Sequence, residues 1–431
     1  MPQPQTAYNH KSPALVALYA ALAAFLTYTM IFGFRKSFVV CTFDGLKVFG
    51  MNYKTVLVIC QVLGYMLAKF YGIKYISELR RIGRGKIILL LVGIAWFSWL
   101  LFALVPVPYN IVFLFINGFP LGMLWGVVFS YVEGRRSTDF IGAALAVSFI
   151  FASGFVKTVG GLLLLEFQLP EFWVPFATGV VFALPLLLFV WMMERIPPAD
   201  DGDKRERMER LPMPPEKRKE LIRRFLPGLV TCIIIYTFVT IFRDIRDNFS
   251  ADMWKEMGYL NQPALFSKTE TPITILILFL IGSMTLLRKN FFAFMLNHLV
   301  IAAGFVVAGV CTWLFSKGEV SPFWWMTLTG LGLYMVYIPF NAVFFERMIA
   351  SFRFTGNVGF LIYISDSFGY LGSVGVLLSK EIFKVRLNWV QFFSNSVMLL
   401  SVFGLLLTAF SAWYFWRKYT SLEMRAPDSV P

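Results

Sequence analysis

Charge is scarce in this chain. Asp, Glu, Lys and Arg make up 15% of its 431 residues, against about 25% in an average soluble domain. With 58% hydrophobic residues and a mean hydropathy of +0.68, that scarcity excludes a soluble protein built on one large core. Histidine is nearly absent: His10 and His298 are the two in the chain, too few for a histidine-rich metal site. The four cysteines, Cys41, Cys60, Cys232 and Cys311, form no CxxC pair and read as free structural thiols in or beside apolar runs. Neither a nucleophile–histidine motif nor a Gly-rich phosphate loop ending in Lys-Ser/Thr is visible, so no enzyme, cofactor or metal is expected. No cleavable leader is expected. The polar start MPQPQTAYNHKS runs into an apolar stretch that reads as a retained first span.

What is abundant is apolar sequence in lengths of about 20 residues, the span a helix needs to cross a bilayer. The runs are continuous rather than alternating, which argues against a β-barrel. Twelve spans are expected. Six lie near 14–40, 54–76, 86–105, 110–133, 140–165 and 173–194, and six near 225–249, 271–287, 291–316, 322–349, 355–380 and 389–417. The stretch 195–224 is hydrophilic, charged and punctuated by proline. The expected fold class is therefore an all-α polytopic membrane protein with twelve transmembrane helices in two pseudo-symmetric six-helix bundles. Residues 1–194 and 225–431 form the bundles and 195–224 the linker.

Orientation follows from the short loops, because Lys and Arg concentrate on the cytoplasmic side. Arg80, Arg81, Arg84, Lys86, Arg135, Arg136, Arg288, Lys289, Arg347, Arg353, Arg417 and Lys418 share one side with the basic linker, while the loops near Pro106–Pro108 and Glu166–Glu171 carry neither. Both termini and the linker are expected in the cytoplasm, with the chain in a bacterial inner membrane as a monomer. Much of the net charge of +14 is then an orientation signal, and no nucleic acid is implied.

Ionisable groups inside spans cost a few kcal/mol on insertion scales and tend to line pockets or pathways. Two octets carry them in parallel: YTMIFGFR, Tyr28 to Arg35, and YTFVTIFR, Tyr236 to Arg243. They fall at corresponding places of the first helix of each half. Arginine presents a rigid fork of donors suited to phosphate or carboxylate, so Arg35 and Arg243 read as two jaws on one anion, with Tyr28 and Tyr236 beside them. Lys36, Lys69 and Lys157 are further candidate ligands; Arg35, Lys69 and Lys157 have no acid beside them in sequence. Lys36 fits equally a snorkelling role at a helix end. Arg243 has Asp244 and Asp247 as possible partners, and Arg246 is a possible structural partner of those acids. Asp366, Asp244 and Asp247 are candidate proton carriers, and Asp366 also fits as counter-ion to a core lysine.

Six plus six helices around a charged linker resemble the layout of the major facilitator superfamily. The loop SELRRIGRGK, Ser77 to Lys86, is similar to a degenerate form of that superfamily's G-x-L-x-D-R-x-G-R-K loop. This resemblance implies a gating role for Glu78, Arg80, Arg81, Gly83, Arg84 and Lys86. Within the superfamily the chain resembles the organophosphate:phosphate antiporters. Gly33-Phe34-Arg35-Lys36-Ser37-Phe38 echoes their Y-x-x-R-K-x-F element, and Ala68-Lys69-Phe70 their S-K-F. Arg243 is followed by Phe249-Ser250 and Lys255-Glu256 where they have W-S and K-E, and Phe368 to Gly372 repeats F-G-Y-L-G. The resemblance implies that Arg35 and Arg243 bind a phosphate with Lys69 in support. Lys157 stands where the family has the histidine of H-N-V-G-G, so coupling through an imidazole is not carried over.

The expected function is secondary active transport of a small organic anion, phosphorylated by the resemblance, through alternating access, with phosphate in antiport or a proton in symport. Export of amphipathic compounds and a non-transporting sensor on a transporter fold are the competing expectations. The aromatic content favours the former; the short tails disfavour the latter.

Overall fold

The computed structural model describes residues 12–77, 83–132, 135, 137–198, 215–259, 262–354, 359–384 and 387–423. The first half comprises α1 (Pro13–Lys36), α2 (Tyr53–Ser77), α3 (Arg84–Leu104), α4 (Val112–Phe129), α5 (Thr138–Leu165) and α6 (Val174–Glu194). The second comprises α7 (Pro215–Asn248), the short α8 (Ser250–Glu256), α9 (Ala264–Thr285), α10 (Asn290–Ser316), α11 (Pro322–Ala342), α12 (Phe344–Ser351), α13 (Gly359–Ile382) and α14 (Trp389–Glu423). Counting α11 and α12 as one broken span and α8 as an extension of α7, these make twelve crossings. Among the described residues nine helices meet length and hydropathy criteria for a span, or ten with the broken pair. The remaining two are α2 and α13, which carry Lys69 and Asp366.

Several boundaries depart from the hydropathy pattern, each for a local reason. The seventh span starts ten residues earlier than the apolar run, with non-helical backbone at Phe225, two residues before Pro227; a proline disfavours helical backbone in the residues just ahead of it. The eighth starts at Ala264 rather than near 271, because Lys268 and Glu270 interrupt the apolar pattern without interrupting the helix. The tenth is bent by 50° between α11 and α12, four residues after Pro339. The first helix ends at Lys36 and continues as a buried 3-10 turn, Ser37–Val40. A two-stranded hairpin, β1 (Lys47–Val48) and β2 (Met51–Asn52), follows, a feature too short to leave a hydropathy signature.

Helices α2 and α4 approach until their backbones touch. A Cβ placed on Gly118 would stand 2.2 Å from the Gln61 carbonyl oxygen, and one on Gly64 2.3 Å from that of Phe115. Small residues permit such crossings in a bilayer, where packing rather than water expulsion drives helix association. This crossing brings Gln61 of α2 to Asn117 of α4 at 2.8 Å. Gly118→Leu is therefore expected to separate the helices, lowering the melting temperature in detergent and the monodisperse yield on size exclusion; overpacking costs about 1–3 kcal/mol even where side chains can yield.

On the side away from the linker the two halves are tied together. Lys54 of α2 pairs with Asp252 of α8 at 2.5 Å, and Asp44 pairs with Lys255. Glu381, at the end of α13, accepts from the Asn52 amide at 3.1 Å and the Thr55 hydroxyl at 3.0 Å. The hydrogen bond from Lys255 holds the Asp44 carboxyl below the usual carboxylate range.

Candidate functional site

The end of α1 is held from three sides before any ligand is considered. The last carbonyls of a helix lack partners within it. Here the Phe34 carbonyl accepts from Trp99 Nε1 at 2.6 Å and Asn117 Nδ2 at 3.0 Å, and the Arg35 carbonyl accepts from Gln61 Nε2 at 2.7 Å. Asn117 Nδ2 also reaches the Ala95 carbonyl at 2.9 Å. Isolated amides inside apolar spans are the signal that marks Gln61 and Asn117 in the sequence.

From this fixed backbone Arg35 projects over the Tyr65 ring, its guanidinium carbon 3.8 Å from the ring centre. Tyr28 lies close to Tyr65, and the Tyr65 and Tyr370 rings lie 5.3 Å apart. Among the described residues no carboxylate lies within ion-pair distance of Arg35, and its Nε is buried with no partner. Arg243 lies over Tyr337 at 4.3 Å and faces Phe149 of the first half at 5.6 Å. It donates to Asp244 Oδ1 at 2.7 Å, and Asp244 Oδ2 accepts from Ser373 at 3.2 Å. Its Nε too is buried and unpartnered.

A chain of contacts joins the two arginines. Lys69 lies beside both Tyr65 and Tyr370, at 5.4 and 5.0 Å, and pairs with Asp366 across the halves. The Tyr236 hydroxyl donates to Asp366, and the Tyr236 ring stacks on Tyr337 at 5.3 Å, the ring beneath Arg243. Arg35, Tyr28, Lys69, Asp366, Tyr236, Asp244 and Arg243 are thus brought into one continuous cluster.

Lys36 and Lys157 form a second group nearer the side away from the linker. Lys36 donates to Asn248 Oδ1 at 2.5 Å and pairs with Asp247 at 3.2 Å. Lys157 pairs with Asp247 at 2.7 Å, and Ser153 donates to the same carboxylate. The lysines that have no acid nearby in sequence therefore have one in space, supplied by the opposite half. Arg246 is not the partner of Asp244 or Asp247: it pairs with Glu270 at 2.7 Å and donates to the Met326 carbonyl at 2.8 Å, which fixes α7 to α9 and α11.

Of the loop between α2 and α3, Glu78, Arg80 and Arg81 lie outside the described residues. Gly83 has φ of +97° and precedes α3. Arg84 donates to the Ser130 carbonyl at 2.8 Å, the Gly85 amide to Glu194 at 2.7 Å, and Lys86 is exposed; these bonds lie within the first half. One serine–histidine contact does occur. His298 Nε2 lies 3.0 Å from Ser411 Oγ, which is 3.4 Å from Cys232 Sγ. Ser411 is 0% exposed, and the trio packs α10, α14 and α7 together.

With this geometry in place, comparison assigns the chain. A family profile, that of DUF5690, matches residues 37–418. The chain belongs to DUF5690, a family of unknown function. None of the curated proteins matches it by sequence. By structure it is similar to a bacterial homologue of the human lysosomal transporter Spinster, with a TM-score of 0.57 at 13% identity over 95% of this chain and 98% of the other. It is also similar to the nucleoside transporter NupG, at 0.58 and 14% over 93% and 99%. The human organic anion transporter MFSD10 scores 0.55 at 14% over 93% and 100%. At such identities the likeness shows the fold, which is the major facilitator fold, in a multi-pass membrane protein.

Proposed function

We propose that the protein is a secondary transporter that carries a small organic anion across the membrane by alternating access, with Arg35 and Arg243 as the two sides of the anion site. The observation that supports this most directly is Arg35. Its backbone is clamped by Gln61, Trp99 and Asn117, and its guanidinium meets no acid among the described residues. The other cations of the core, Lys36, Lys69, Lys157, Arg243 and Arg246, each meet a carboxylate.

The balance of charge supports a doubly charged cargo. Six cations, counting Arg35, face four acids: Asp244, Asp247, Glu270 and Asp366. A phosphate monoester carries about −1.5 to −2 near pH 7 and offers three acceptor oxygens to the arginine forks. The fold carries comparable chemistry in MFSD10, described as an organic anion transporter. The surplus of Lys and Arg on the linker side supports a cytoplasmic placement of that side and of both termini, with the bonds that tie the halves on the opposite, exterior side.

The test is ligand-dependent stability of the purified protein in detergent. Inorganic phosphate and phosphate monoesters are expected to raise the melting temperature of the parent chain and to leave Arg35→Gln unmoved. Stabilisation by lipophilic cations with none by anions would overturn the reading and favour export of amphipathic compounds.

A further inference from the structure

Asp247 of the second half sits where three donors of the first half converge. Its carboxylate receives Lys157 at 2.7 Å, Lys36 at 3.2 Å and the Ser153 hydroxyl. All three donors come from α1 and α5 of the first half, whereas Asp247 belongs to α7 of the second. The lysines are 3% and 2% exposed and Asp247 is 3% exposed. Two buried ammonium groups converging on one carboxylate are tolerable while the carboxylate is present. Without it, two dehydrated like charges face each other, and each carries an uncompensated desolvation cost.

We propose that Asp247 is a tethered counter-anion. It enters the Lys36–Lys157–Ser153 cradle each time the exterior side closes, and so allows the carrier to close with no substrate aboard. This rests on the reading of an alternating-access anion carrier and settles how its cycle returns. When the halves part on the exterior side, Asp247 is withdrawn and the three donors meet water together. When they close again, Asp247 replaces the water that must leave. A strict exchanger needs a free anion for that step; this chain brings its own. Arg35, which is only partly buried, keeps access to water in the empty state and needs no tether. Asp247 is in these terms a positioning residue for the empty return, distinct from the arginines that hold cargo.

The hydroxyls of Thr158 and Ser267 lie 2.7 Å apart between α5 and α9, one on each half. Thr158→Cys with Ser267→Cys, in a chain whose four native cysteines are replaced, reports exterior closure as the rate of disulfide formation under an added mild oxidant, in proteoliposomes free of phosphate. Asp247→Asn is expected to slow that reaction roughly tenfold or more. Asp247→Glu should close as the parent does, and adding Lys36→Gln to Asp247→Asn should restore closure by removing the like-charge conflict. Closure unchanged in Asp247→Asn, or slowed closure that Lys36→Gln fails to relieve, would overturn the proposal; the second result would make the bridge an ordinary structural contact. This readout requires no cargo. If Arg35→Gln left anion uptake unchanged, the cargo assignment would fall while the closure result stood.

Discussion

Arg35→Gln is expected to lower anion uptake at limiting concentration by roughly 100-fold. Truncating one partner of a buried charge-assisted contact costs about 2–5 kcal/mol, and every 1.4 kcal/mol is about tenfold. The same change should leave the melting temperature of the unliganded protein close to that of the parent, because no acid among the described residues forms an ion pair with Arg35. Loss of transport with stability retained is the signature of a ligand contact and separates Arg35 from the other core cations. Arg35→Lys keeps the charge but gives up the planar fork and its stacking on Tyr65, so it should fall between parent and glutamine. The contrast is Arg243→Gln, which strands Asp244 and should reduce stability as well as uptake. Adding Asp244→Asn should recover stability and leave uptake low. Radiolabelled uptake in proteoliposomes, with melting curves on the same preparations, checks all four. Full uptake by Arg35→Gln would end the anion-site reading.

Much of the architecture is legible in the chain because hydropathy is a local property: the spans, their division by the charged linker and the parallel octets all lie in contiguous sequence. What sequence does not show is whatever depends on residues far apart. Lys69 and Lys157 read as cations without acids because Asp366 and Asp247 lie in the opposite half. Arg246 reads as a partner for its neighbours, yet it turns toward Glu270 two helices away. The early start of α9 is hidden because its first turns carry Lys268 and Glu270, and Glu270 is itself the partner of Arg246. The interruption of the apolar pattern and the missed ion pair thus have one cause. The clamp on α1 is equally hidden, since nothing in Gln61 or Asn117 alone says that both point at the carbonyls beside Arg35.

Asp366 is the residue whose role the sequence leaves most open, and a pair of variants divides the alternatives. Its carboxylate takes Lys69 from the first half and the Tyr236 hydroxyl from its own, and Tyr236 is further engaged with Asn341. Asp366→Asn removes the charge and leaves the Lys69 ammonium with the Tyr65 and Tyr370 rings at 5.4 and 5.0 Å. Ring faces repay only about 0.5–2 kcal/mol, whereas stranding one member of a buried pair costs about 3–5 kcal/mol. A marked fall in melting temperature is therefore expected for the single variant. Lys69→Met combined with Asp366→Asn should recover most of it, since a buried pair exchanged for uncharged groups is often neutral. A single variant that melts with the parent would show that the pair carries no weight in the fold. The stable double variant then serves a second measurement. If Asp366 is a counter-ion alone, uptake driven by a pH gradient and uptake driven by counterflow should change in parallel. If it also carries the coupling proton, the gradient-driven mode should vanish while counterflow persists, because Arg35 and Arg243, the proposed sides of the anion site, are unchanged. The cross-half placement of the pair makes the second outcome mechanistically coherent: a proton on Asp366 releases Lys69 and frees α2 from α13.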